Sequence, residues 1–235
     1  MAQAPRAVRW ARVLLALTLL SPAVAFVAVA GMKLGVWDWT VGYSLLAMRV
    51  GLAFAALGAV AALGGVVVAL GEKKAGPFAL VGLVAGAVTA TIYGLHVASH
   101  GLPVAGGPAL LADVTTNPAE PPVFSGTLAD QRSAAGVPTL TASAFGACQA
   151  ATVPTQVAPS VAAYALQQAG FTVLGSGVGR ADGTRTGFWF GFNHDAVIRI
   201  RPGQTDVRVS ARQARPDGGE ACGLLQTIVS NLQAP

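Results

Sequence analysis

Hydrophobic residues dominate the first hundred positions, where they form three long runs between Val13 and Ala98. Two short polar turns separate these runs, and the stretch 50–70 contains no charged side chain at all. A helix needs about 20 predominantly apolar residues to cross a lipid bilayer. The pattern therefore predicts a transmembrane domain over residues 1–100, with helices at about 10–32, 43–70 and 77–98.

After a glycine- and proline-rich linker at 101–110, polar and apolar residues alternate over shorter distances, which predicts a second domain at 111–235. Between residues 196 and 201, apolar and basic positions alternate strictly, as in an antiparallel sheet with one wet face. We predict a soluble α+β domain with a four-stranded antiparallel sheet and packed helices, and mostly loop at 125–156. The predicted elements are a helix at 158–169, strands at 171–176, 185–191, 196–201 and 206–212, a turn at 202–204, and a helix at 217–232.

The charge of the chain is divided unequally between these two parts. Residues 1–100 carry seven basic and two acidic side chains, which accounts for the whole net charge of +5. The remainder carries eight arginines, no lysine and eight acids, so its net charge is zero. Domains that bind nucleic acid typically carry more basic than acidic residues. The second part has no such excess, so we predict that nucleic acid is not a partner.

The positions of the basic residues predict how the chain lies in the membrane. Arg6, Arg9 and Arg12 precede the first helix, and Lys73 and Lys74 lie between the second and third. Positive residues are retained on the cytoplasmic side of membranes. We therefore expect a cytoplasmic N-terminus and a periplasmic or extracellular C-terminal domain.

The first apolar run has a second interpretation, because a basic start, an apolar centre and an A-x-A site at Ala28–Ala30 are also typical of a cleaved signal peptide. The run is long for a signal peptide, so we favour a retained helix. Both interpretations place the C-terminal domain outside the cytoplasm.

Small residues recur at steps of four along the third helix. Small residues let membrane helices approach each other closely, so this stripe packs either the helices of this chain or a separate partner subunit. His96 and His100 are also four residues apart, but no cysteine or carboxylate follows them closely, and we predict no metal site. The stripe comprises Gly82, Gly86, Ala90 and Gly94.

The chain has two cysteines, Cys148 and Cys222, and both lie in the C-terminal domain. Compartments outside the cytoplasm permit disulfides, and two cysteines allow one intramolecular pairing. We predict a Cys148–Cys222 disulfide, with two buried free thiols as the alternative.

The arginines of the last two predicted strands are the best candidates for a binding site. Residues two apart in a strand share a face, so a hairpin would bring arginines of both strands to one surface. Guanidinium groups bind carboxylates and phosphates with two parallel hydrogen bonds, which would suit lipid headgroups or an acidic partner. The alternative is a solvated face of ion pairs, each contributing little. We expect alanine at Arg208 and Arg212 to abolish anion binding and to leave the fold intact. The candidate anion-binding residues are Arg199, Arg201, Arg208, Arg212 and Arg215.

Two segments of the second domain carry recognisable motifs. Asp113–Phe124 reads D-V-T-T-N-P-A-E-P-P-V-F, and Asp195–Gly219 contains D-A-V-I-R-I-R, an arginine-bearing strand and R-P-D-G-G. Together they resemble the two motifs of a bacterial family, domain of unknown function 1499, over roughly residues 110–232. Val209, Ala211 and Ala221 depart from that pattern. Apart from the arginines above, the matching positions are Asp113, Thr115, Thr116, Pro121, Pro122, Phe124, Asp195, Asp217 and Gly219.

The resemblance implies a bacterial protein, and together with the predicted transmembrane helices it implies location in the inner membrane. It implies no activity, because the family has no known function. We expect a non-catalytic interaction module or accessory subunit of a membrane assembly, whose partners are the lipid bilayer and another membrane subunit. The first alternative is a protein that binds a small anionic ligand or lipid through the arginine face. The second is a hydrolase using His194 and Asp195, although no G-x-S-x-G nucleophile turn is present. No cofactor motif occurs, and we predict no cofactor.

Overall fold

A computed structural model describes most of the chain and divides it into two compact units, Met1–Ala105 and Gly106–Pro235. The predicted linker at 101–110 lies outside the described residues. The described residues are 6–98 with the backbone of 99 and 100, then 112–137, 148, 151–215, 217 and 219–234.

Three helices of the first unit are long and apolar enough to cross a membrane, and they cover residues 6–33, 40–71 and 73–98. The second helix begins three residues before its predicted start because Asp38 caps it, its Oδ1 accepting hydrogen bonds from the Thr40 and Val41 amides at 2.9 and 3.1 Å. Its first part is a π-helix. The elements are α1 (Arg6–Lys33), the π-helix Thr40–Val50, α2 (Gly51–Gly71), a 3₁₀ turn at Lys73–Ala75 and α3 (Gly76–His100).

Close contacts between these helices form where one helix presents a glycine. A Cβ atom on Gly58 would lie 3.2 Å from the Thr18 Cα, and the Thr18 hydroxyl donates to the Gly58 carbonyl at 3.2 Å. The Ser21 hydroxyl likewise donates to the Gly51 carbonyl at 2.8 Å. Two polar side chains of α1 are therefore satisfied by α2 backbone that glycine leaves accessible.

The small-residue stripe of α3 does not stay on one side of the helix. Gly82 and Gly86 are buried against the other helices, whereas Ala90 and Gly94 are exposed. Each step of four residues exceeds a full turn by about 40°, so the stripe rotates by roughly 120° between its first and last member. The buried ridge continues instead through Tyr93, whose hydroxyl donates to the Ala47 carbonyl at 2.8 Å.

The second unit contains a five-stranded antiparallel sheet in the order β1-β5-β4-β3-β2. The elements are β1 (Asp113–Thr115), α4 (Gly126–Ala134), α5 (Pro159–Gln168), β2 (Thr172–Gly177), β3 (Arg180–Thr186), β4 (Asn193–Arg201), β5 (Gln204–Ala211) and α6 (Glu220–Gln233).

The prediction of four strands was wrong, because the sheet has a fifth strand, β1, at one edge. β1 contributes only three residues, and its pairing partner β5 lies almost a hundred residues later in the chain. Three residues carry too little alternation to predict a strand, and the prolines that follow indicated an extended segment instead. Val114 is nevertheless buried in the core.

Two further sequence predictions differ from the structure. β3 covers Arg180–Thr186, so the strand predicted at 185–191 overlaps it in only two residues. The aromatic residues 188–190 form a turn instead, with Gly191 at φ +68°. The predicted loop at 125–156 contains α4, whose buried positions are Leu128 and Arg132. Amphipathic helices are predicted from apolar residues that recur every three to four positions. A charged arginine at one of the buried positions interrupts that pattern, so α4 was not predicted.

One face of the sheet packs against α5 and α6 and forms the hydrophobic core. Leu166 of α5 and Leu225 and Ile228 of α6 are fully buried against the strands. The Cys148 and Cys222 sulfur atoms lie 2.03 Å apart, at disulfide distance, and Cys222 belongs to α6. The core residues from the strands are Val114, Phe171, Ala181, Ala196, Ile198, Ile200, Val207 and Val209.

The packing of α3 predicts that a larger side chain at Gly86 destabilises the helical unit. A Cβ atom there would lie 3.1 Å from the Ala62 Cβ and 3.5 Å from the Thr18 Cγ2. A Cβ atom on Gly94 would have no atom within 4 Å among the described residues, apart from the neighbouring backbone of α3. We expect Gly86→Leu to cost about 1–3 kcal/mol, as overpacking usually does. The melting temperature of the detergent-solubilised chain would fall in G86L and stay unchanged in the matched control G94L. Equal melting temperatures would contradict the observed helix packing.

Candidate functional site

The second face of the sheet carries most of the charged residues of the domain. Residues directly opposite each other in an antiparallel pair project to the same side, and Val197 pairs with Arg208 as Arg199 pairs with Asp206. The predicted gathering of Arg199, Arg201 and Arg208 on one face therefore follows from the register. We call this surface the charged face; it comprises Asp113, Thr115, Arg180, Asp182, Thr184, Asp195, Val197, Arg199, Arg201, Asp206, Arg208, Ser210 and Arg212.

The charged face is covered by α4 and by the proline-rich residues 116–125, which connect β1 to α4 and which we call the covering segment. Arg208 binds Asp113 with two hydrogen bonds, from Nε to Oδ1 at 2.8 Å and from Nη2 to Oδ2 at 2.7 Å. Its Nη1 donates to the Pro122 carbonyl at 2.9 Å. The Asp113 side chain is completely buried. One arginine thus joins the edge strand, its neighbour β5 and the covering segment.

Phe124 of the covering segment lies between two guanidinium groups. Its ring centre is 4.6 Å from the Arg208 Cζ and 4.3 Å from the Arg132 Cζ. Arg132 projects from α4, and it donates to the Asp195 carboxylate and the Ser210 hydroxyl, each at 2.8 Å. Burial lowers the pKa of Arg132, and the hydrogen bond to Asp195 opposes this effect. Phe124 therefore shields two ion pairs from water and provides a cation–π contact to both cations.

Asp195 is a shared partner of two arginines. Arg212 donates to it through Nε and Nη2 at 2.8 and 2.7 Å, in addition to the Arg132 contact. Arg212 also donates to the Gln131 amide oxygen of α4 at 2.8 Å. The carboxylate is fully buried, so both arginines are needed to compensate its desolvation.

Asp206 forms the centre of a second cluster at the far end of the charged face. Arg199 and Arg201 donate to its Oδ2 at 2.7 and 2.8 Å. Burial of Asp206 opposes its ionisation, but hydrogen bonds from Gln204 and Arg199 outweigh burial and lower its pKa. Glu120 joins from the covering segment, with its Oε2 2.6 Å from the Arg201 Nη1. The Arg201 hydrogen bond and the nearby Arg199 charge lower the Glu120 pKa.

Arg215, the fifth candidate, does not reach the charged face. β5 ends at Ala211, so strand alternation no longer determines its direction. Its guanidinium lies 3.8 Å from the Phe192 ring centre and 3.0 Å from the Glu220 carboxylate, on the side of α6. Asp217 lies on the same side, where it accepts hydrogen bonds from the Gly219 and Ala221 amides at the start of α6.

The remaining motif residues hold the covering segment in place. The Thr115 hydroxyl donates to the Val207 carbonyl at 3.1 Å, and the Thr116 hydroxyl accepts from the Val207 amide at 2.9 Å. Thr116 thereby extends the β1–β5 pairing beyond the strand. Pro121 and Pro122 follow, and Gly219 adopts φ +84° before α6, a conformation in which glycine is favoured.

All eight arginines of the C-terminal domain form ion pairs within it. Besides the pairs above, Arg180 binds Asp182 at 2.7 Å and Arg185 binds Glu220 at 3.3 Å. Arg185 and Arg215 pair with Glu220 of α6. The other six guanidinium groups form an internally neutralised layer on the charged face. The expectation that Arg208→Ala and Arg212→Ala would leave the fold intact therefore conflicts with the buried pairs in the structure.

The covered surface contains a cavity of about 260 Å³ between the covering segment and the strands. Arg180 and Arg199 border it from directly opposite positions of β3 and β4. Like charges opposite each other in a sheet repel, and each of these arginines has a carboxylate partner on its own side. The lining residues are Pro122, Val123, Gly179, Arg180, Val197 and Arg199.

His194 and Asp195 lie on opposite faces of β4, because neighbouring residues of a strand alternate. The two side chains therefore cannot form the acid–base pair that a hydrolase would need. His194 is fully buried beside α6, with its Nε2 3.8 Å from the Glu220 carboxylate. Neither ring nitrogen has a hydrogen-bond partner among the described residues. Burial lowers the His194 pKa, and the charge of Glu220 opposes this effect.

No group of metal-ligating side chains is present in the described part of the chain. His96, one of the two histidines at helical spacing, lies 3.1 Å from the Tyr43 hydroxyl through its Nε2. The side chain of His100 lies outside the described residues.

Sequence reasoning missed three residues that complete the charged face. Arg132 lies in a helix that was not predicted, although its position four residues after Leu128 places both on one side of that helix. Glu120 and Arg180 are distant in sequence from the residues they contact, and no local signal connects them to the site.

These features define the protein as an α+β domain attached to a unit of three long apolar helices. One face of its antiparallel sheet is covered by helices and the other by a layer of ion pairs. The family model described as Protein of unknown function (DUF1499) matches residues 113–232. The chain belongs to this family, which confirms the resemblance of its two motifs. No curated protein and no solved structure matches this chain.

The buried ion pairs predict that Arg208→Ala destabilises the C-terminal domain. Removing Arg208 leaves the buried Asp113 carboxylate uncompensated and removes one cation from Phe124. Breaking one partner of a buried pair costs about 3–5 kcal/mol, and urea unfolding of the detergent-solubilised chain, followed by proteolysis, would measure it. Arg185→Ala is the control, because its pair is partly exposed and such pairs contribute at most about 1 kcal/mol. Equal losses in both variants would contradict the importance of burial.

The buried His194 predicts a loss of domain stability in mild acid. Its folded-state pKa is lowered, so below about pH 6.5 the unfolded chain binds a proton that the folded chain does not. The stabilising effect of neutral His194 is complete above that pH and is lost as the pH falls toward the folded-state pKa. His194→Phe should flatten the dependence of the urea midpoint between pH 8 and 5. An identical slope in H194F and the wild type would contradict this assignment.

Proposed function

We propose that this chain is a membrane-anchored module of the bacterial inner membrane whose C-terminal domain lies in the periplasm or outside the cell. It acts by binding, as an accessory subunit of a membrane assembly. Three helices of sufficient length and hydropathy support the anchor. The family match begins only thirteen residues after the third of these helices ends, so the family domain follows the anchor directly.

The proposed orientation rests on the basic residues at the helix ends. Arg6, Arg9 and Arg12 lie at the start of α1, and Lys73 and Lys74 lie between α2 and α3. Both clusters would be cytoplasmic by the positive-inside rule. Lys33 and Arg49 would lie on the outer side, where long basic side chains near a helix end can reach the headgroups.

The cysteine pair supports an oxidising compartment for the C-terminal domain. The Cys148 and Cys222 sulfur atoms are at disulfide distance, and disulfides persist outside the reducing cytoplasm. The pair links α6 to Cys148, which precedes α5 in the chain. A stabilising crosslink of this kind suits a domain exposed to the cell exterior.

The observation that carries a binding role is the internal neutralisation of the charged face. Asp195 and Asp206 each form ion pairs with two arginines and serve as their structural counter-ions. This arrangement supports a rigid, electrically neutral domain, which presents its outer surface to a partner.

A specific observation also favours the alternative of an anionic ligand. The cavity of about 260 Å³ places Arg180 and Arg199 beside the apolar Val197 and Val123. The two arginine side chains keep 28% and 21% of their surface exposed. A ligand with one carboxylate or phosphate and a short apolar part would match this lining.

Gentle extraction from native membranes separates the two functions. We expect the chain, tagged at its C-terminus, to elute with a stoichiometric membrane protein that native mass spectrometry identifies. Protease added to intact spheroplasts should remove a C-terminal tag and leave an N-terminal tag in place. A lone chain carrying a bound anionic lipid or metabolite would contradict the subunit proposal and support the ligand alternative. Removal of the N-terminal tag would contradict the orientation.

A further inference from the structure

The loop between β3 and β4 presents two aromatic side chains to the surroundings. Its sequence, residues 187–192, is G-F-W-F-G-F. Phe188 is 75% exposed and Trp189 is 68% exposed. The two rings touch edge to face, with their centres 5.2 Å apart. Large aromatic groups carry the greatest hydrophobic surface of all side chains, so the tip of this loop leaves a large apolar area uncovered.

The base of the loop is held in a defined conformation. The Gly187 amide donates to the Phe192 carbonyl at 2.7 Å, and the Gly191 amide donates to the Gly187 carbonyl at 3.1 Å. Phe192 is buried beneath the Arg215 guanidinium and stacks on Phe190, with ring centres 5.7 Å apart. The inner aromatic residues thus anchor the loop, while the outer two are directed away from the domain.

The exposed tip lies at the same end of the sheet at which the chain enters the domain. The Ala211 amide at the end of β5 donates to the Ala112 carbonyl just before β1, and the Arg212 amide donates to the Asn193 carbonyl at the start of β4. β3 ends at this edge with Thr186. Three strand spacings separate β1 from β3, or about 14 Å at the usual spacing.

The covalent connection to the apolar helices is short. α3 ends at residue 100 and β1 begins at residue 113, and the residues between them span at most about 40 Å when fully extended. If α3 crosses a membrane, the end of the sheet that carries the aromatic tip is therefore also the end tethered to that membrane.

We propose that the tip formed by Phe188 and Trp189 inserts into the interfacial region of the bilayer that the three helices span. This inference rests on the membrane anchor of the proposed function. Tryptophan and other aromatic rings concentrate at the membrane–water interface, where an apolar ring body and a polar N–H group are both satisfied. The loop thereby orients the C-terminal domain on the membrane and leaves its other surfaces accessible.

A protein partner fits this tip less well. A stable protein–protein interface involves about 20–30 residues on each side, whereas the exposed aromatic tip consists of two. A lipid interface accepts a small aromatic wedge without complementary shape. The covalent connection to α3 also limits how far the tip can move from a bilayer that α3 spans.

The test uses the full chain in lipid nanodiscs, with its four tryptophans replaced biosynthetically by 5-fluorotryptophan. The Trp189 fluorine resonance is assigned by its loss in Trp189→Phe. We expect a nitroxide attached to the lipid near the headgroup to broaden this resonance beyond detection, and a water-soluble gadolinium chelate to leave it visible. Loss of the signal with the chelate alone would overturn the proposal. Protection from both reagents would also overturn it, because the tip would then be covered by protein.

Val178 provides a matched control position. It is 82% exposed in the β2–β3 turn, at the opposite end of the same sheet. In Val178→Trp, the added resonance should respond to the soluble chelate and not to the lipid nitroxide. An equal lipid response at both ends would mean that the domain has no preferred orientation, which would overturn the proposal.

Trp10, Trp37 and Trp39 separate failure of this inference from failure of the anchor. Trp10 belongs to α1, and the other two lie just after it. If the lipid nitroxide broadens these resonances but not that of Trp189, the anchor holds and the loop does not insert. If it broadens none of them, the helices themselves do not enter the bilayer.

Discussion

Arg208 and Asp113 form the ion pair on which the organisation of the C-terminal domain depends. The Asp113 side chain is fully buried and its two oxygens accept both hydrogen bonds from one guanidinium. Without this partner, the negative charge at the start of the domain would be desolvated and unpaired, at a large cost in free energy. The same arginine contacts Pro122 and Phe124. A single side chain therefore fixes the edge strand and closes the segment that covers the charged face.

The two faces of the sheet are stabilised by different forces. Burial of apolar side chains against α5 and α6 provides the non-directional hydrophobic term on one face. The other face depends on directional contacts, in which Asp195 and Asp206 each accept from two arginines. Buried ion pairs stabilise a fold only when their geometry is satisfied. The ion pairs of the charged face therefore favour one arrangement of the strands, α4 and the covering segment. The arginines of the charged face are consequently already paired with carboxylates among the described residues.

Neutrality of the domain and basicity of the anchor are complementary properties. The whole net charge of +5 resides in the first hundred residues, where it determines the predicted orientation. The C-terminal domain balances eight arginines with eight acids, and each arginine has a carboxylate partner. Aromatic side chains, rather than charges, are then the features by which the domain would approach a lipid surface.

Local patterns were sufficient to predict many elements of the fold and the members of the charged face. The apolar runs located α1, α2 and α3, because about 20 consecutive apolar residues is the length that a bilayer-spanning helix needs. Strict alternation placed Arg199 and Arg201 on one side of β4, and the two cysteines allowed one intramolecular pairing. The motifs identified the family. In each case, the deciding information lies within neighbouring residues or in the composition.

Only the tertiary structure decided what those arginines contact. Alternation specifies a face but not its cover, and Glu120 reaches Arg201 across 81 positions of the chain. Arg132 stabilises Asp195 from a helix whose apolar period the arginine itself interrupts. β1 is a strand because it pairs with the edge of β5. Arg215 contacts α6 because it lies beyond the end of β5, where strand alternation no longer applies. The sequence thus determined the location of the charges, whereas long-range packing determined that they neutralise each other.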